Sequence, residues 1–147
     1  MGIPLRASTM LRQDEGVIVS LHVATGAAGG ALMRSRTGAL VLGLALHGLG
    51  DAVPHRDIES QSFEIKSGAA AFIALAVRYG PFHPVCIGAL AASAPDIEHV
   101  IKLPRPGGRK LFPSHRVEGW HKEGGIPAWA QLAAAGTILA VLLARRP

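Results

Sequence analysis

Long apolar runs separated by short polar links dominate the chain. Residues 17–33 contain His22 as their one clearly ionisable side chain, and residues 126–144 contain Gln131 as their one strongly polar side chain. Apolar runs of about 17 to 25 residues have the length of a helix that crosses a bilayer. The pattern therefore predicts an all-α fold: an integral membrane helical bundle of about four to five apolar segments. The predicted segments are 17–33, 38–50, one that starts near Ile58 and ends at the break formed by residues 78–81, 82–94, and 126–144.

The middle apolar stretch is interrupted at Gly80 and Pro81, directly after the charged Arg78. Proline disfavours a continuing helix and glycine permits a tight turn, so this break indicates a turn between two helices rather than one long span. We therefore expect a helical hairpin at residues 58–95. Such a hairpin brings the ends of the second and fourth segments to the same side.

The N-terminal residues allow two interpretations. Basic residues before an apolar run, here Arg6 and Arg12, are typical of a cleaved secretory signal. Acidic residues directly beside the run, here Asp14 and Glu15, favour a retained helix. On the second interpretation the chain has a polar N-terminal tail at 1–16 and a single membrane-embedded helical domain at 17–147, with a polar loop at 96–125.

Composition supports an apolar, ordered chain. Hydrophobic residues make up 49% and charged residues 17%, against a usual charged fraction of about 25%, and the mean hydropathy is +0.31. These values exclude a disordered chain. Cys86 is the single cysteine, which excludes an intramolecular disulfide and a CxxC metal motif. A bound metal would therefore use histidine and carboxylate ligands.

The positive charge favours a membrane over nucleic acid. The net charge is +5, but aromatic residues make up only 5% and the basic residues are separated by long uncharged stretches, so we expect no direct nucleic-acid binding. In the five-segment topology, ten of the 15 Lys and Arg residues lie on the side of the N-terminus. Positive loops favour the cytoplasmic side. This predicts a multi-pass protein of the inner (cytoplasmic) membrane with membrane lipid as a partner; the oligomeric state is not predicted.

One group of candidate ligands surrounds the end of the second apolar segment. His47, Asp51 and His55 are spaced i, i+4 and i+8, which on a helix forms a row with steps of about 5 to 6 Å. Imidazole and carboxylate suit a divalent metal such as zinc, at about 2.0 to 2.2 Å. Pro54 favours a helix end before His55, which places His55 below the other two as a ligand.

Further candidates cluster on the same predicted side, after the fourth segment, in the polar loop and near the start of the first segment. The hairpin is what brings them to one side, so the predicted metal site depends on the turn at Gly80 and Pro81. The best ligand candidates are His47, Asp51, His99 and His115; the second choices are His22, His55, Asp96 and His121.

These residues also have simpler explanations. A histidine within a membrane, such as His22, commonly forms a hydrogen bond to a neighbouring helix. Asp51 at membrane depth costs about 2.5 to 3.5 kcal/mol unless its charge is compensated, and an ion pair with Arg56 would do so as well as a metal. The basic loop at 104–110 is explained by solvent exposure or by contact with lipid phosphate.

Three short motifs carry a resemblance to a known family. They are Leu21-His22 in an early helix, Ala-Pro-Asp-Ile-Glu-His at 94–99, and Ser-His-Arg at 114–116 followed by His121. This set resembles a family of small bacterial membrane-bound metal-dependent hydrolases that includes the LexA-binding inner-membrane-associated group. The family's Leu-Pro-Asp-Ile-Asp-His corresponds to 94–99, whereas its His-Arg-Gly-x-Thr-His differs from 115–121 in spacing and in the missing threonine. The resemblance covers about residues 20–122 and implies a divalent metal and hydrolytic activity.

The combined pattern predicts a metal-dependent hydrolase that acts on a phosphoester or lipid-related substrate at the cytoplasmic face. A metal-bound water, its pKa lowered toward about 7, would be the nucleophile. Glu98 or Glu118 would act as general base, and Arg116 would stabilise developing negative charge. The alternative is a noncatalytic membrane protein, such as a metal or proton translocator or an assembly partner, because buried His and Asp suit a transport path equally well.

Overall fold

A computed structural model describes residues 19–56, 58, 60–101, 103–120, 122 and 124–145. The predicted tail at 1–16, and with it the choice between a cleaved signal and a retained helix, lies outside the described residues. The described residues form seven α-helices and one 3-10 turn. These are α1 (Val19–Leu32), α2 (Arg36–Ala52), α3 (Gln61–Tyr79), α4 (Pro84–Ser93), α5 (Ile97–Val100), the 3-10 turn (Pro106–Gly108), α6 (Pro113–Arg116) and α7 (Ala128–Ala144).

The five longer helices coincide with the five predicted apolar segments, so the all-helical character of the fold is confirmed. Ser35 begins α2, because its side-chain oxygen accepts a hydrogen bond from the backbone N–H of Gly38. Gly80 ends α3 with a φ of 89°, a conformation that favours glycine. Pro84 then begins α4, where its missing N–H leaves no helical hydrogen bond unmade. The predicted turn between two helices is therefore present.

The closest helix contact joins α1 to α4. A Cβ atom added to Gly26 would overlap the carbonyl oxygen of Gly88, and one added to Gly30 would overlap that of Pro84. Helix α2 approaches α4 through Gly43, where an added Cβ would lie 2.6 Å from the Gly88 carbonyl oxygen. These approaches require glycine, and they hold α1, α2 and α4 together as one tightly packed unit.

An apolar core lies where α1 and α4 meet α3 and α7. Its members are at most 3% exposed, and full burial of a large apolar side chain contributes about 1.5 to 3 kcal/mol. Helices α1 and α4 are apolar on nearly all faces because other helices surround them. The buried core residues are Val23, Ala27, Leu75, Val85, Cys86, Ala89 and Leu142.

The prediction of a membrane-spanning bundle is wrong for the part of the chain that the structure describes. Helices α1 and α4 have 14 and 10 residues, so at 1.5 Å per residue each falls short of a hydrocarbon layer of about 30 Å. Helix α3 has 19 residues but carries Glu64, Lys66 and Arg78. None of the described helices combines the length with the hydropathy that a transmembrane span requires. The inner-membrane, multi-pass localisation depends on the same segments and is corrected with them.

Candidate metal centre

Five side chains from four parts of the fold converge at one buried point. Helix α1 contributes His22, α2 contributes His47 and Asp51, the junction between α4 and α5 contributes Asp96, and α6 contributes His115. The first four residues are between 1% and 6% exposed, and the His115 side chain is 6% exposed. We call these five side chains the histidine–aspartate cluster.

The spacing of His47 and Asp51 on α2 gives the cluster its first pair. Because the two residues are four apart on a helix, they lie on the same face, with His47 Nε2 3.0 Å from Asp51 Oδ2. His55, the i, i+8 residue of the predicted row, does not join this pair. Helix α2 ends at Ala52, and His55 Nδ1 instead donates to the Val53 carbonyl oxygen at 2.6 Å. His55 belongs to neither group of metal-competent ligand atoms found among the described residues.

Hydrogen bonds fix which ring nitrogen of each central histidine faces the cluster. His47 Nδ1 lies 2.8 Å from the Ala92 carbonyl oxygen. A carbonyl oxygen only accepts, so Nδ1 carries the proton and the neutral ring presents a lone pair at Nε2. His115 Nδ1 lies 2.6 Å from Glu98 Oε1, a carboxylate oxygen, so the neutral His115 ring likewise presents a lone pair at Nε2.

The two lone-pair nitrogens face each other inside the protein. His47 Nε2 and His115 Nε2 are 3.2 Å apart. Asp51 Oδ2 lies 3.0 Å from the first and 3.5 Å from the second, and Asp96 Oδ1 lies 3.9 Å and 3.7 Å from them. With neutral rings, all four atoms are electron-pair donors. Such a group needs either added protons or a cation among its members.

The carboxylate oxygens have the burial expected of ligands. Both carboxylate oxygens of Asp96 are inaccessible to solvent and have no hydrogen-bond partner in the described structure. Asp51 Oδ2 is equally inaccessible, and it lies 3.0 Å from His47 Nε2 and 3.5 Å from His115 Nε2. Burying a carboxylate in this way is costly unless a charge compensates it. Tetrahedral zinc with ligands near 2.0 to 2.1 Å places its donor atoms roughly 3.3 Å from one another. The separations of 3.0 to 3.9 Å from the two imidazole nitrogens fit that arrangement.

The ionisation of the cluster reflects the same competition between burial and charge. Burial raises the pKa of Asp51, but hydrogen bonds from His115, His22 and His47 outweigh it and hold that pKa far below its usual range. Burial raises the pKa of Asp96. Burial lowers the pKa of His47, but its hydrogen bond to Asp51 and the charges of Asp96 and Asp51 outweigh burial and raise that pKa above its usual value. In His47 and Asp96 the protonated form is therefore favoured relative to the free side chain.

Glu98, a predicted general base, lies behind His115 rather than among the converging ligand atoms. It is 1% exposed, and its Oε2 accepts a hydrogen bond from the Leu111 N–H at 2.7 Å. Burial raises the pKa of Glu98, but the backbone hydrogen bond from Leu111 and the hydrogen bond from His115 outweigh it and lower that pKa. Its position is that of a group that orients a metal-binding histidine.

The other predicted site residues occupy less central positions. His99, a first-choice ligand, lies next to His115 instead, with its Nε2 3.2 Å from His115 Nδ1. Arg116 and Glu118 are exposed on the same segment as His115. His121 lies outside the described residues.

A cleft opens beside the cluster. It has an empty volume of about 240 Å³, including space open to solvent, and Asp96 and His99 line it together with Glu64 and apolar residues such as Val19 and Val100. Glu64, which is 1% exposed, is not among the candidate residues that the sequence indicates. A glutamate in the first turn of a helix is ordinarily explained by the helix dipole, so the sequence carried no signal for this position.

Comparison with known proteins identifies no relative of this chain. No protein-family model matches the chain, and neither a curated protein nor a solved structure matches it. The resemblance to membrane-bound metal-dependent hydrolases thus has its basis in the short motifs alone. Any assignment of activity must be argued from the cluster itself.

Proposed function

We propose that this protein is a metal-dependent hydrolase whose divalent metal, zinc in the first instance, is held by His47, Asp51, Asp96 and His115. The observation that carries the proposal is the 3.2 Å separation of His47 Nε2 and His115 Nε2. In each of these rings the other nitrogen, Nδ1, donates a hydrogen bond to a fixed acceptor. Two imidazoles oriented in this way are prepared to bind one cation between them.

The chain supplies the parts that a hydrolytic site needs around a metal. A bound divalent metal lowers the pKa of a coordinated water toward about 7. The Ala92 carbonyl and the Glu98 carboxylate orient the two imidazoles. The cleft lined by Asp96 and His99 lies beside the cluster and is the route by which water would approach a metal there.

A phosphoester is the substrate class that we propose. The segment that carries His115 also carries the exposed Arg105, Arg109 and Arg116. Arg105 Nη2 donates to the Glu98 carbonyl oxygen at 2.9 Å, so at least one of these guanidinium groups is held next to the residue that orients His115. Cationic side chains around a site attract and orient an anionic substrate.

A noncatalytic metal site is the second candidate, and the burial of the cluster favours it. Structural zinc sites are closed by four protein ligands, whereas catalytic sites keep one position open. His47, Asp51, Asp96 and His115 would already provide four donor atoms, each from a side chain at most 6% exposed. Activity, rather than metal content, therefore separates the two candidates.

The test combines metal analysis with a hydrolysis assay. The protein is purified, loaded with zinc, dialysed and analysed for metal by mass spectrometry, and its hydrolysis of bis(4-nitrophenyl) phosphate is then measured. The His47→Ala variant should lose most bound metal and activity. The His55→Ala variant is the matched control, because His55 lies just beyond the same helix and outside the cluster; it should retain both.

The outcomes are distinct. Metal binding with zinc-dependent phosphodiester hydrolysis, both lost in His47→Ala, supports the proposal. Metal binding without hydrolysis of phosphomonoesters, phosphodiesters or carboxylic esters identifies a noncatalytic metal site. Absence of bound metal in the native chain after zinc loading overturns both candidates.

A further inference from the structure

The cluster offers more donor atoms than one tetrahedral cation can use. His47 Nε2, His115 Nε2, Asp51 Oδ2 and Asp96 Oδ1 already make four. Zinc in proteins is almost always four-coordinate in a closed site, so a single zinc would leave the remaining donors of the cluster unused. Those donors are His22 Nε2 and the second oxygen of each aspartate.

The remaining donors also lie close to one another. His22 Nε2 is 3.4 Å from Asp51 Oδ1, the oxygen that does not face His47 and His115. A ligand atom of His22 also lies within 4.8 Å of one of Asp96, in a metal-competent group that shares His47 with the group of His47, Asp51 and His115. Asp96 Oδ2 is buried without a hydrogen-bond partner in the described structure, although Oδ1 is the oxygen nearest His47 and His115.

We infer that the centre holds two divalent cations, with Asp51 as a bridge between them and His22 as a ligand of the second cation alone. The first cation binds His47, His115 and Asp51 Oδ2. The second binds His22, Asp51 Oδ1 and Asp96, and three protein ligands leave it an open position. This inference rests on the proposed function, because it adds a cation to the metal site proposed there and, when both cations are bound, assigns Asp96 to the second cation instead of the first.

The charges explain why a second cation suits an anionic substrate. With neutral imidazoles, Asp51 and Asp96 together carry a charge of −2, which one divalent cation neutralises. A second cation leaves the centre with a charge of +2 and therefore with an affinity for an anion. Two cations about 3.5 to 4 Å apart stabilise both the attacking and the leaving oxygen of a phosphoester.

The simpler alternative gives His22 a different role. His22 Nε2 could donate a hydrogen bond to Asp51 Oδ1 and thereby orient the aspartate for a single cation. In that case removing His22 weakens metal binding without changing the number of metals bound at saturation. The stoichiometry at saturation therefore separates a ligand from an orienting residue.

The experiment measures bound metal per chain. Native protein, His22→Ala and the control Thr25→Ala are saturated with zinc, freed of excess metal and analysed by mass spectrometry, with circular dichroism to compare their folds. Thr25 lies one turn from His22 on α1, and its hydroxyl donates to backbone carbonyl oxygens of its own helix. We expect two zinc ions in the native chain and in Thr25→Ala, and one in His22→Ala.

A second measurement keeps the inference testable if His22→Ala does not fold. The native chain is loaded with Mn²⁺, whose electron paramagnetic resonance spectrum shows exchange coupling when two ions share a bridging carboxylate. Asp51→Asn should abolish the coupling. A native ratio of one zinc, or an uncoupled Mn²⁺ spectrum, overturns the second cation and leaves the proposed function standing. A ratio of two that persists in a folded His22→Ala variant overturns the assignment of His22, and a ratio of zero overturns the proposed function itself.

Discussion

The Oε1 atom of Glu98 lies 2.6 Å from the Nδ1 atom of His115, and the other oxygen of the same carboxylate accepts the Leu111 N–H at 2.7 Å. One buried side chain thus positions both the histidine and the segment that carries it. A carboxylate behind a metal-binding histidine fixes the ring and raises the basicity of its exposed nitrogen. On the proposed function, Glu98 would therefore tune how well His115 binds a cation without touching the cation.

Replacing Glu98 with glutamine should lower zinc affinity by about 10- to 100-fold, because the amide is a neutral and weaker acceptor for His115 Nδ1–H. Competition with a chromophoric chelator measures the affinity. Glu118→Gln is the matched control, since Glu118 is exposed on the same segment, and its affinity should stay within a factor of about two of the native value. Equal affinities for native protein and Glu98→Gln would contradict an orienting role.

Asp96 should destabilise the metal-free fold near neutral pH. Burial raises the pKa of Asp96, so the folded chain holds this proton more tightly than the unfolded chain does. The free energy of unfolding then decreases as pH rises from the ordinary carboxyl range through the raised pKa. We expect Asp96→Asn, kept free of metal with a chelator, to be more stable than the native chain at neutral pH, with a difference that shrinks on acidification.

Urea unfolding midpoints at a series of pH values provide the measurement. Asp51→Asn is the control, because its stability at neutral pH should change in the opposite direction. Hydrogen bonds hold the pKa of Asp51 below its usual range, so its charged form stabilises the fold and the variant should be less stable at neutral pH. A destabilised Asp96→Asn variant would show that the buried Asp96 carboxylate is already compensated without metal.

Gly88→Ala should destabilise the protein by about 1 to 3 kcal/mol or more, because the added methyl group would overlap the Gly26 carbonyl oxygen in the contact between α1 and α4. Gly136→Ala is the control. Gly136 lies within α7 with open space around its Cβ position, and alanine there should stabilise the helix by about 0.5 to 1 kcal/mol. Thermal unfolding of the two variants measures the difference. A tolerated Gly88→Ala substitution would contradict the close approach.

Metal removal should change the fluorescence of Trp120. Its indole Nε1–H donates to the Gly48 carbonyl oxygen at 2.8 Å, so it attaches the segment after His115 to α2. On the proposed function, chelation removes a cation that joins His115 to α2, and we expect the Trp120 emission to shift to longer wavelength. The Trp129→Phe background isolates this signal.

Zinc at 100 times its Kd should also stabilise the fold by about 2.7 kcal/mol. Identical emission and unfolding curves with and without zinc would contradict the cluster as a metal site.

The helices could be predicted from the sequence, but their environment could not. Apolar runs mark helices that are apolar on all sides, and such helices occur both in membranes and at the centre of a helical domain. Hydropathy does not distinguish the two, because it does not record what surrounds a residue. In this fold α1 is surrounded by α2, α3, α4 and α7, and it is only 14 residues long.

The candidate site was predictable where a helix sets the spacing. His47 and Asp51 lie on one face of α2, as their i, i+4 positions require. Which of Asp96 and His99 faces the cluster was not predictable in this way. They lie where α4 ends and the four-residue α5 begins, and the orientation of a side chain at such a junction depends on tertiary packing. The sequence favours His99 as a ligand, whereas the structure places Asp96 in the cluster.

The glycine contacts between α1, α2 and α4 have a kinetic consequence for the cluster. His22, His47, Asp51 and Asp96 belong to elements that these contacts fix in place, while His115 comes from a separate segment that Glu98 and Trp120 attach to the helices. If the cluster binds an ion as proposed, the ion would therefore enter and leave when this one segment moves away, with the remaining four side chains still assembled. The lifetime of a bound ion should follow the opening rate of that segment rather than the global unfolding rate of the protein.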